Sequence, residues 1–266
     1  MALGMSTGTS PIAAGAATGQ HLTVPLGERL RKSAPWWLLP TTVVTVLTAF
    51  SVYAIWTAVI GHNEWGPYLS PFYSPQVLTG RRISPAFFVL WMPLSFRATC
   101  YYYRKAYFRS FFLDPPSCAR SEPGEHRRKY SGETRLFVLN NLHRYTLYLA
   151  ILVVGFLWYD TVKAFFVPGT TKLQLGLGTG IMLLNVVLLS AYTFGCHAFR
   201  HLVGGKIDCY SCVRGGAARY KTWRGVSMLN LRHPTWAWAS MFSVVAVDVY
   251  IHMLSAGWFL DPHITL

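Results

Sequence analysis

Residues 173–201, LQLGLGTGIMLLNVVLLSAYTFGCHAFRH, decide the class of this chain. From Leu173 to Phe199 there is no Asp, Glu, Lys or Arg. A helix rising about 1.5 Å per residue crosses ~30 Å of hydrocarbon in about 20 residues, so the run reads as a transmembrane helix. It closes on Cys196, His197, Arg200 and His201. If the helix continues to its end, His197 and His201 share a face one turn apart and can reach one metal ion, as H-x-x-x-H zinc helices do. Cys196 adds a thiol on a face rotated by about 100°. The plainer alternative is a helix end where basic residues meet headgroups and the cysteine is a small buried hydrophobe.

Working outward, the composition agrees with that class. Of 266 residues, 52% are hydrophobic and only 13% charged, about half the charged share of a soluble domain. Five apolar runs read as spans at about 37–60, 83–103, 142–166, 173–199 and 234–259. Residues 1–34 read as a flexible tail ending in an interfacial segment, and 35–266 as one membrane domain. The fold expected is an all-α integral membrane protein, five transmembrane helices in a bundle.

Orientation follows from the basic residues. With the N-terminal side taken as inner, 20 of the 24 Lys and Arg fall there, and only Arg81, Arg82, Lys163 and Lys172 face outward. The positive-inside rule then puts the N-terminus in the cytoplasm and the C-terminus outside. The net charge of +14 therefore belongs to membrane topology and to an acidic partner or anionic lipid, and no nucleic-acid motif is present. Five cysteines, an odd number, do not make a secreted disulfide framework. A transporter is disfavoured by the scarcity of charge within the spans and by the lack of internal repeats.

On this topology all five cysteines are inner, as are His143, Cys196, His197, His201 and His233. Thiolate with imidazole suits zinc or an iron–sulfur centre, and two Cys with two His is the Rieske set. Haem b would instead take two histidines on different helices, His143 with His197 or His201, or His62 with His252 on the outer side. The C-x-x-C at Cys209 and Cys212 has no second half and reads as a loop with solvated thiols; His126 reads as solvated and His233 as marking the start of the fifth span. Residues 93–112, PLSFRATCYYYRKAYFRSFF, place Arg97 within a span beside Ser95 and Tyr101–Tyr103. These are donors suited to a quinone carbonyl, set against the alternative of an arginine snorkelling above an aromatic belt.

Several separated motifs then carry a resemblance. TCYYYRKAYFRSFF and LDPPSCA (99–119), KYSGETR (129–135), NLHRY (141–145) and CHAFRH (196–201) resemble the membrane-anchor (cytochrome b-type, C) subunit of actinobacterial, mycobacterial-type succinate dehydrogenase, respiratory complex II. The similarity runs from about Pro35 to Trp258. It implies a multi-pass subunit of the bacterial cytoplasmic membrane that holds a flavoprotein and an iron–sulfur subunit on its cytoplasmic face, with room for a higher oligomer. Succinate would be oxidised at FAD in the flavoprotein, and electrons would pass through further iron–sulfur clusters to quinone (menaquinone or ubiquinone). Many five-helix anchors of this kind carry two b haems on four histidines, and the present cysteines and outer histidines depart from that pattern. The expectation is therefore a membrane-embedded [2Fe–2S] centre with His197 and His201 on one iron and Cys100 and Cys118 on the other, Cys196 and His143 in reserve. Quinone is expected near Ser33, Trp37, Arg97 and Tyr101. A haem b anchor and a purely structural anchor with a quinone pocket are the competing readings.

Overall fold

The computed structural model describes residues 35–60, 64–76, 84–113, 137–205 and 207–265. Ser33 and Cys118, with His62 and His126, lie outside the described residues. Among the described residues four helices are long and apolar enough to cross a membrane. They are α1 (Leu38–Ile60), α5 (Phe137–Ala164), α6 (Leu177–Phe194) and α9 (His233–Ser255). The lipid solvates apolar side chains as well as a core does, so α1 leaves Val52, Ile55 and Val59 outward without penalty.

The second apolar run is not one helix. It divides into α2 (Ala86–Val89), α3 (Trp91–Thr99) and α4 (Tyr101–Phe111). Pro93 lacks an N–H and its ring presses on the carbonyl four residues back, that of Val89, where α2 ends. Cys100 then adopts an extended conformation (φ −60°, ψ 129°) and separates α3 from α4. The fourth run is also interrupted. Gly195 terminates α6, Cys196 is extended (φ −74°, ψ 154°), and a separate helix α7 (His197–Gly204) begins. A short α8 (Gly216–Leu231) leads into α9.

The bundle is built by α6 against α9, α3 against α5, and α5 against α6, with α7 packed on α8. At the end away from the cysteines, four short strands close it. Strands β1 (Glu64–Trp65) and β2 (Tyr68–Leu69) form a hairpin through Gly66 at φ 55°, a value glycine takes without strain. Strands β3 (Gln174–Gly176) and β4 (His263–Thr265) pair antiparallel. Two buried carboxylates tie that end together. Asp261 accepts from the hydroxyls of Tyr68 (2.6 Å) and Tyr250 and from the Gly178 N–H (3.1 Å). Asp248 accepts from Tyr53 (2.6 Å) and from Ser70.

Candidate functional site

The opposite end of the bundle holds a buried cluster of Phe96, Cys100, Tyr103, Leu147, Ala150, Tyr192, Cys196 and Ala237. Both helix breaks feed it. Because Cys100 and Cys196 sit at extended positions between helices, each thiol is turned inward, at 3% and 1% exposure. Both are free cysteines. Two histidines join them, His143 from the early part of α5 and His233 from the first position of α9, at 8% and 7% exposure. Pro234, at the start of α9 where a missing N–H costs nothing, fixes where that helix begins and so where His233 stands.

His233 Nε2 lies 3.5 Å from Cys100 Sγ, and its buried Nδ1 has no hydrogen-bond partner. His143 Nδ1 meets Thr99 Oγ1 at 3.1 Å, so its Nε2 is the nitrogen left for another partner. The rings form a continuous row. His143 stacks on Phe96 (4.6 Å between centroids), Phe96 meets Tyr192 edge-on (5.6 Å), and Tyr192 stacks on His233 (4.9 Å). The Cys196 sulfur also caps α7, accepting from the Phe199 N–H at 3.2 Å. Burial pushes its thiol up to about 12, so a metal that bound there would have to displace the proton. Among the described residues no three His, Cys, Asp or Glu side chains surround one metal position.

His197 and His201 behave differently. The break at Gly195 and Cys196 moves both onto α7, where His197 is exposed and His201 half-buried. Burial and the neighbouring Arg200 hold the His197 imidazole below its ordinary value, so it is neutral near pH 7. The structure thus gathers Cys100 with Cys196 and His143, and adds His233. Its sequence signal, a histidine wedged between Arg232 and Pro234 at a helix start, looks the same whether or not it binds anything.

Arg97 does not snorkel to the surface. Its guanidinium donates to Tyr103 Oη (2.5 Å), the Ala237 carbonyl (3.1 Å) and Ser240 Oγ (2.9 Å), and lies 4.6 Å from the Tyr192 ring centre. Arg97 and Tyr192 also border a cavity of about 340 Å³ walled by Phe50, Ala54, Phe72 and Phe96. Trp37 and Tyr101, both about half exposed, do not line it, and Tyr101 faces Arg104 at 5.8 Å instead. Tyr103, Tyr192 and Ser240 complete the Arg97 setting. In the sequence they read only as isolated polar groups within apolar runs.

Residues 38–257 match the family of the actinobacterial succinate dehydrogenase subunit SdhC. The chain belongs to this family. A solved structure described as the Mycobacterium smegmatis Sdh1 complex in the apo form contains a similar chain, with 37% identity and a TM-score of 0.77 over 95% of this chain and 99% of that one. Comparison with curated proteins finds no match. Family membership and the four long apolar helices make this SdhC-family chain a multi-pass subunit of the bacterial plasma membrane.

Proposed function

We propose that the chain anchors the flavoprotein and iron–sulfur subunits of succinate dehydrogenase to the membrane and carries electrons onward to quinone. In this reading succinate is oxidised at FAD in the partner, and this chain contributes no succinate site. The bundle crosses the membrane five times, α2–α4 supplying the broken second crossing, with the N-terminus in the cytoplasm and the C-terminus outside. The basic inner loops then face the partner subunits.

One observation supports an electron-carrying centre: two free buried thiols and two buried imidazoles share one cluster, and His233 Nδ1 there has no partner. Each iron of a [2Fe–2S] centre takes two protein ligands, so four donors must converge on one compact cluster, which the described side chains as they stand do not form. The candidate donors would be Cys100, with His233 Nε2 3.5 Å from its sulfur, and Cys196 and His143, ahead of Cys118, His197 and His201; Phe96 and Tyr192 stand between the two imidazoles, so His143 and His233 would not share an iron. Such a centre, when bound, supplies a one-electron carrier whose imidazole ligands raise its potential above that of a four-thiolate cluster. Thr99 Oγ1, which donates to the Ser95 carbonyl (2.7 Å), would accept from His143 Nδ1 and leave Nε2 as the nitrogen that could ligate. Arg97, with five N–H donors and a position on the cavity wall, orients a quinone carbonyl, while the apolar walls exclude water. A haem b between His143 and His233 would have to displace Phe96 and Tyr192, which occupy the path between the two imidazoles.

The test is low-temperature electron paramagnetic resonance on the reduced complex, beside its visible spectrum. A low-average-g signal is expected in the parent and in a His197→Ala/His201→Ala variant, and its loss in His143→Ala or His233→Ala. Sharp haem bands without that signal would move the histidines to haem. A complex with neither signal, still reducing quinone, would leave the chain a structural anchor.

A further inference from the structure

Cys209 and Cys212 are joined in a disulfide, their Cα atoms 5.4 Å apart, in the loop between α7 and α8. The loop stands on the side that the basic residues assign to the cytoplasm. There a disulfide does not persist by default, and an exposed one belongs to the cycling kind. Cys212 is exposed and Cys209 half-buried, so small reagents reach the bond. A four-residue ring also gains little as a structural staple, because the entropy removed from the unfolded chain shrinks with ring size.

What the ring encloses gives it a consequence. Tyr210 donates its hydroxyl to the Gly204 carbonyl at the end of α7 (3.0 Å). Its ring rests on Tyr220 (5.3 Å) and Trp223 (6.2 Å) of α8. Tyr210 is thus a peg between the two helices, and the disulfide fixes the backbone on both sides of it. The same helix pair is joined by Arg200, which donates to Ser227 (2.9 Å) and lies over Trp223 (4.9 Å). Further along α8, Asn230 donates to the Gly195 carbonyl (2.8 Å), next to buried Cys196.

We propose that Cys209 and Cys212 are a reversible dithiol–disulfide site whose oxidation locks Tyr210 between α7 and α8. Oxidation breaks the two S–H bonds and forms one S–S bond. The two electrons and two protons pass to a low-molecular-weight disulfide, which leaves as two thiols, and reduction runs the same exchange backwards. The site is separate from the cysteines assigned to the metal and stands or falls without them.

The experiment uses the intact complex in membranes, equilibrated with glutathione buffers of graded oxidation or with dithiothreitol. Thiols are trapped by alkylation and read by peptide mass spectrometry, and hydrogen exchange is followed over residues 204–220. The pair is expected to interconvert without denaturant, with exchange roughly tenfold faster in the reduced form, the scale of the entropy that a four-residue ring removes. A Cys209→Ser/Cys212→Ser variant should exchange at the reduced rate in every buffer, and Tyr210→Ala should exchange fast in both states. A pair that never oxidises, one that resists reductant until the protein is denatured, or equal exchange in the two states would each overturn the proposal.

Discussion

A guanidinium inside a membrane bundle must find acceptors, and Arg97 finds three within reach of one planar fork. Lysine offers a point charge and cannot hold Tyr103, Ala237 and Ser240 together while facing Tyr192. Arg97→Lys is expected to lower quinone reduction by one to two orders of magnitude, the range of one lost charge-assisted hydrogen bond of about 1.5–3 kcal/mol. Succinate oxidation measured with a soluble dye should stay near the parent rate. Equal loss in both assays would place the fault in assembly, not in the quinone pocket. At this scale residue types were legible and partnerships were not. Cys100 and Arg97 stood out in the sequence because thiols and charges are rare in spans. His233 did not, since only tertiary packing brings the start of α9 to the break at Cys100.

His197 and His201 keep their helical spacing on α7, but the break at Gly195 and Cys196 starts a new helix and takes that pair off the α6 run. A Cβ at Gly195 would meet the Ala191 carbonyl at 2.5 Å and Leu229 Cβ at 3.2 Å, so α8 presses on the chain where α6 ends. Gly195→Val should push α8 away and break the Asn230 hydrogen bond. A melting temperature several degrees lower is expected in detergent, with the Cys196 side of the cluster disturbed, whereas Gly155→Ala, open around its Cβ, should melt as the parent does. The opposite end has its own control point. Replacing Asp261 by Ala strands the hydroxyls of Tyr68 and Tyr250 and the Gly178 N–H, at a cost of about 3 kcal/mol or more. Thermal unfolding of Asp261→Ala against Asp261→Asn checks this, with the asparagine variant falling between. The long apolar helices were readable to within a few residues, because hydropathy depends on lipid and not on neighbours. The breaks were not, since Pro93 gives only a hint and Gly195 acts through contact with Leu229.

At the scale of the whole molecule, the asymmetry of charge and the asymmetry of chemistry coincide. Arg97, Arg104, Arg200 and Arg219 stand at the end that holds Cys100, Cys196, His143 and His233, while Asp248 and Asp261 are buried at the other. An anchor whose electrons arrive from a soluble partner needs its centre at the partner's end, so the basic surface and the Cys/His cluster belong on the same face. This much follows from counting Lys and Arg along the chain. The depth of each side chain does not, because the second apolar run is broken at Cys100 and the fourth at Gly195 and Cys196. The number of crossings fixes the fate of the C-terminus: with α2–α4 as a crossing there are five, and the two ends of the chain face opposite compartments. Alkaline phosphatase fused after Leu266 should therefore be active in whole cells, and a fluorescent protein fused there should be dark. If α2–α4 instead lay in the interface, four crossings would return the C-terminus to the cytoplasm and both readouts would invert. Fusions after Gln76, between α1 and α2, separate the remaining possibilities. Phosphatase activity there together with activity at the C-terminus means five crossings, whereas an inactive Gln76 fusion beside an active C-terminal one would place the second segment on the membrane surface and the N-terminus outside.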